Sequence, residues 1–199
     1  MNSTSRHMGV DYGAKLAGTT AAAMVVAGSL QVRQSPRGQD ADVWLQHLIR
    51  EWQPAVVYLD APLTLPKVYS LPHYLPDADF FYREADREVQ AMSPMFLGGL
   101  TARAIRLRTQ LAARGVAVLE TYPSQLAMLL FPELHGYKKD LAKLPAFTGA
   151  LQGQLVHELK ESPQSWHQFD ALLAWLSGYR HSQGQSLLYG DAREGRIIV

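Results

Sequence analysis

Pro54-Ala55-Val56-Val57-Tyr58-Leu59-Asp60 is a nearly unbroken apolar run that ends on an acid and is followed by Ala61-Pro62. A strand buried on both faces reads this way. The next such run, Val116-Ala117-Val118-Leu119-Glu120, also ends on an acid, just before Thr121-Tyr122-Pro123. Between the two lie a Pro- and Tyr-rich loop, Pro62 to Pro76, and a helical region from about Phe80 to Arg114 with a break near Gly98-Gly99. That region is the crossover joining two strands of one sheet.

Upstream, His7 to Tyr12 is a short apolar run stopped by Gly13, and the stretch from Thr19 through Val32 contains Met24, Val25, Val26, Gly28 and Leu30. Three strands with tight turns near Gly18 and Gly28 follow from this, although Ala21–Ala23 has helix propensity. Val43, Trp44, Leu45, Leu48, Ile49 and Trp52 recur at helical spacing, with Asp40 as N-cap and Pro54 beyond the end, so Asp40 to Trp52 reads as an amphipathic helix. After Pro123 the chain reads as helical pieces, with loops at Pro132 to Gly136 and Ser162-Pro163. A final helix from about Gln164 to Arg180 follows, and one short strand at Arg196 to Val199. Strands first, then alternation with helices, give an α/β fold with a mixed central sheet flanked by helices, in a single domain over residues 1–199.

The chain has 199 residues, 47% of them hydrophobic and 19% charged, enough to bury one good-sized core. A net charge of +1 argues neither for nor against a nucleic-acid face, which can be local. The absence of cysteine excludes disulfides and thiolate catalysis. Met1 to His7 lacks the apolar core of a signal peptide, and the longest apolar stretch, Thr19 to Ala27, is far short of the about 20 residues a membrane span needs. The expectation is a cytoplasmic protein without a membrane partner.

The repeated feature is an acid at a strand end: Asp11 after Met8-Gly9-Val10, Asp60 and Glu120. In an open α/β sheet, ligand chemistry gathers at such ends. A fourth acid, Asp170, lies in the last helix at the edge of the stripe formed by Trp166, Phe169, Leu173 and Leu176, and so leans toward the sheet. Converging carboxylates are costly unless a cation sits between them, and a hard cation with oxygen ligands suits four such acids. Taken singly, Asp11 can instead make an Asx turn, Asp60 cap a loop, Glu120 pair an arginine and Asp170 face solvent.

Val10-Asp11-Tyr12-Gly13-Ala14-Lys15, Leu59-Asp60-Ala61-Pro62-Leu63, Arg83 with Asp86-Arg87-Glu88, Glu120-Thr121-Tyr122-Pro123-Ser124 and Asp170-Ala171-Leu172, in this order, resemble a family of uncharacterised predicted nucleases with a ribonuclease H-like fold. The likeness runs from about Gly9 to the Gly190–Ile197 tail. The opening segment is also similar to the first strand of Holliday-junction-resolvase-like and ribosomal-RNA-processing nucleases, whose first acid binds metal. The resemblance implies a phosphodiesterase acting on nucleic acid with Mg²⁺ or Mn²⁺, with Asp11, Asp60 and Asp170 as ligands and Glu120 as a ligand or water-orienting base. Lys15 or Arg87 would hold phosphate. Where such proteins often carry paired acids in the last helix, Phe169 precedes Asp170 here, which leaves room for a one-metal site or for a module that binds without cutting.

Other chemistries find less support. Gly13-Ala14-Lys15-Leu16-Ala17-Gly18-Thr19-Thr20 has Thr19 where a phosphate-binding P-loop requires lysine. An actin-like phosphotransferase shares an Asp-Tyr-Gly-type opening, but such enzymes need two lobes. The seven histidines show no His-Glu-x-x-His or His-x-His spacing, and no Gly-x-Ser-x-Gly elbow exists. Arg103, Arg106, Arg108 and Arg114, Lys138 and Lys139, and the aromatics Tyr69, Tyr74, Phe80, Phe81 and Tyr82 are candidates for a nucleic-acid channel, with ordinary packing and solvation as the alternative.

Overall fold

The computed structural model describes residues 6–73 and 76–199, so Tyr74 lies outside the described residues. Strands β1 (His7–Asp11), β2 (Ala21–Val26), β3 (Ser29–Gln34), β4 (Val56–Asp60) and β5 (Ala117–Glu120) form a mixed five-stranded sheet in the order β3-β2-β1-β4-β5. The first three strands are antiparallel neighbours, whereas β4 runs parallel to β1 and β5 parallel to β4. The turn near Gly28 is a two-residue hairpin loop: Val26 pairs with Ser29, and Ala27 and Gly28 take φ values of 50° and 89°. Two left-handed residues in succession match the twist of the strands they join. The helix propensity of Ala21–Ala23 is overridden because small side chains are needed where both faces of β2 are covered.

One face of the sheet carries α1 (Ala41–Trp52) and α4 (Gly99–Ala112), whose Leu45, Leu48, Ile49, Ala104, Leu107 and Leu111 pack on Met8, Val10, Val57 and Leu59. The Asp40 side chain caps α1 as its position predicts, accepting from the Asp42 and Val43 amides. The crossover is split into α2 (Glu84–Glu88), α3 (Pro94–Leu97) and α4, with Gly98 at φ 43° making the break between the last two.

The other face carries α7 (Trp166–Ser182), covered in turn by α5 (Pro123–Leu130) and α6 (Leu144–Gln152). Every residue of α7 from Phe169 to Gly178 is buried, which corrects the expectation of an amphipathic helix with Asp170 at its margin. A helix enclosed by a sheet and by two other helices has no solvent face to show in its periodicity. Its approach to the sheet is close enough that a Cβ on Gly9 would lie 2.0 Å from the Trp175 amide nitrogen, and one on Gly178 2.5 Å from the Tyr58 ring. The short C-terminal strand is β7 (Ile197–Ile198), paired with a two-residue β6 (Leu188–Tyr189) that the sequence pattern does not announce. The Thr121 hydroxyl donates to the Ile198 carbonyl at 2.7 Å, docking the tail beside β5. Among the described residues no helix is long and apolar enough to cross a membrane.

Candidate metal centre

Asp11 and Asp60 are register partners at the ends of two parallel strands, so their side chains leave the sheet on the same face. That face is the one covered by α7, whose Asp170 points back at them. One carboxylate oxygen from each of the three residues lies within 4.8 Å of the other two, and together they form a group that can hold a metal ion. Asp11 and Asp170 are buried, while Asp60 borders a cleft of about 220 Å³ whose other lining includes Tyr12, Met92, Leu97, Glu120, Tyr122 and Ile197.

The protein neutralises the three acids unevenly. His167, three residues before Asp170 on α7, places Nδ1 2.7 Å from Asp11 Oδ2. Tyr137 donates its hydroxyl to Asp170 Oδ1, and the Lys138 ammonium lies 2.5 Å from Asp170 Oδ2. Among the described residues no hydrogen-bond donor reaches the Asp60 carboxylate. Burial, reinforced by Asp11, holds the Asp60 carboxyl well above the usual carboxylate range; Lys138 opposes this and Asp170 adds to it. Burial likewise lifts Asp170 to about 7, with Lys138 pulling it down and Asp11 pushing it up. The hydrogen bond to Asp11 raises the His167 imidazole. The donor set fits a hard metal ion: three carboxylates converge, and the burial and mutual repulsion that raise two of them are what a cation among them would offset.

Glu120 is brought to a different partner. It pairs in register with Leu59, one residue short of Asp60, and a one-residue offset turns a strand side chain to the opposite face. There its Oε1 accepts from Arg83 Nη2 at 2.6 Å, and its Oε2 accepts from Arg83 Nη1 and from the Leu63 amide, each at 2.8 Å. Arg83 is fully enclosed and also donates to both oxygens of Asp86 and to the Thr64 hydroxyl. Burial raises the Glu120 carboxyl against the pull of Arg83. Glu120 borders the cleft, but its oxygens are engaged by the guanidinium, as the arginine-pairing alternative had it.

Lys15 and Arg87 are engaged at the surface, Lys15 with Asp40 at 3.0 Å and Arg87 with Asp79 at 2.6 Å, its guanidinium over the Tyr82 ring. Arg103 and Arg106 bind the buried Asp42, which also accepts from the Tyr12 hydroxyl at 2.5 Å, so these groups fasten the end of β1 to α1 and α4. The cation delivered to the acids is Lys138. Its loop is turned by Gly136, at φ 95°, and by Lys138 itself, at φ 59°. From the sequence Lys138 is a candidate for a nucleic-acid channel, not for the acidic centre; His167 and Tyr137, which also bind the acids, are not singled out there. The available signal for His167 was its place one helical turn from Asp170. No protein-family model and no curated protein matches the chain.

Proposed function

We propose that the chain is a cytoplasmic, Mg²⁺- or Mn²⁺-dependent nuclease with a ribonuclease H-like fold, hydrolysing phosphodiester bonds of nucleic acid. The observation that carries this reading is the convergence of Asp11, Asp60 and Asp170, from two parallel strand ends and a buried helix, on one point beside an open cleft. The resemblance of the flanking segments to predicted nucleases supports the same assignment. A bound divalent ion would polarise the phosphate and make a water nucleophilic near neutral pH. The protein's own part is to hold three oxygen ligands rigidly, to orient Asp11 through His167, and to fix Asp170 through Tyr137 and Lys138. Met92, Leu97 and Ile197 supply apolar lining to the cleft.

The test is cleavage of a panel of single- and double-stranded DNA and RNA in millimolar Mn²⁺. The reading requires cleavage by the wild type and its loss in Asp11→Asn. Absence of cleavage on every substrate, or full retention in the variant, overturns it. A second reading, a binding module that does not cut, is favoured by one observation: Lys138 and His167 already supply positive charge to the acids. Tight nucleic-acid binding with no cleavage in Mn²⁺ would select it.

A further inference from the structure

We propose that Lys138 serves as a built-in second cation of the acidic centre, so that the site takes one divalent ion rather than two. The inference deepens the metal-site reading above and rests on it. Its starting point is the position of the ammonium. The Lys138 stem lies at the surface, yet Nζ reaches inward to lie 2.5 Å from Asp170 Oδ2 and 3.2 Å from the Ser124 hydroxyl, to which it donates.

The placement is held by the core. The preceding Tyr137 sits edge-on to Trp166 and Phe169, with ring centroids 5.3 Å and 6.2 Å away, and its hydroxyl binds the same Asp170. Gly136 O accepts from the amides of Lys139 and Asp140 at 3.0 and 3.1 Å, closing the loop. A flexible surface lysine loses rotamer entropy when it is fixed, so a half-buried, core-packed tyrosine that delivers it to a carboxylate makes this contact a structural feature of the centre.

Formal charge then sets the stoichiometry. With His167 neutral, one divalent ion and one ammonium balance three carboxylates, whereas two divalent ions with the ammonium would leave a local excess of two positive charges, and a protonated His167 would add to that excess. The ammonium also occupies one oxygen of the only helix-borne acid in the group. Phe169 and Ala171 flank Asp170, so the helix offers no other carboxylate next to it. Asp11 and Asp60, at the strand ends, are left as the pair facing the cleft for the ion.

The experiment is Mn²⁺ titration of the full chain, followed by calorimetry and by the spin-resonance signal of free Mn²⁺, in wild type, Lys138→Arg and Lys138→Met. Circular dichroism checks that each variant is folded. The expected result is one Mn²⁺ per chain in the wild type and in Lys138→Arg, and two in Lys138→Met. Two ions in the wild type, or an unchanged single ion in Lys138→Met, overturns the proposal while leaving the nuclease reading intact. Absence of Mn²⁺ binding in all three overturns the metal site itself. Absence of cleavage with one bound ion would count against the nuclease reading alone.

Discussion

Asp11 and Asp60 stand directly opposite each other in the register of two parallel strands, and with Asp170 they bring three carboxylate oxygens within 4.8 Å of one another. Lys138 and His167 approach from α7's side and leave Asp60 without a donor among the described residues. Keeping such a pair together costs the folded protein stability.

Replacing Asp60 by Asn should therefore stabilise the metal-free protein, by about 1 kcal/mol in urea unfolding, because a neutral amide removes the cost of burying a carboxylate and its repulsion with Asp11 and Asp170. The same variant should lose the rise in melting temperature that Mn²⁺ gives the wild type. A destabilised Asp60→Asn that still responds to Mn²⁺ would contradict the assignment.

The pH dependence has a definite sign. Asp60 and Asp170 are raised in the folded protein, Asp170 to about 7, so between the ordinary carboxylate range near pH 4 and that value the folded chain keeps protons that the unfolded chain releases. Stability without metal should fall as pH rises through this window. His167, also raised, adds to the fall as pH passes its folded value. Stabilisation by Mn²⁺ should grow over the same interval, because the ion displaces the retained protons. Thermal melts at stepped pH with chelator and with Mn²⁺ check both slopes.

Arg83→Met should cost about 3–5 kcal/mol, since it strips the partner from two buried carboxylates, Asp86 and Glu120. If Glu120 serves that ion pair and not the ion, Glu120→Gln should leave the Mn²⁺ affinity of the folded protein within about threefold of wild type, a difference of about 0.65 kcal/mol. Calorimetric titration of the variant measures this directly.

Gly9→Ala should destabilise the protein by at least about 3 kcal/mol, because the new methyl would meet the Trp175 backbone and push α7 off β1. The helix that moves is the one carrying Asp170, so any folded fraction should also bind Mn²⁺ more weakly. Chemical denaturation and titration of the same sample separate the two effects.

Much of this arrangement could be read from residue order. The apolar runs ending on Asp11 and Asp60, the Gly28 turn and the Asp40 cap are local signals, and the structure places β1, β4, the hairpin and α1 where those signals put them. Glu120 ends an equally good run, but which face it takes depends on the stagger of β5 against β4, which is a tertiary quantity. The burial of Asp170 depends on α5 and α6 closing over α7, and no periodicity within α7 records that. Lys138 reaches the acids through a loop whose course is set by Tyr137 packing on Trp166 and Phe169, residues about 30 positions away. The pairing of Leu188–Tyr189 with Ile197–Ile198 is too short to leave an alternating pattern.

The most direct measurement is the anomalous difference density of crystals soaked in Mn²⁺. The account predicts a peak bonded to oxygens of Asp11 and Asp60 and within the reach of Asp170, with Lys138 still on Asp170. Density absent from the three carboxylates, or a peak held elsewhere while they remain paired only with Lys138 and His167, would contradict it.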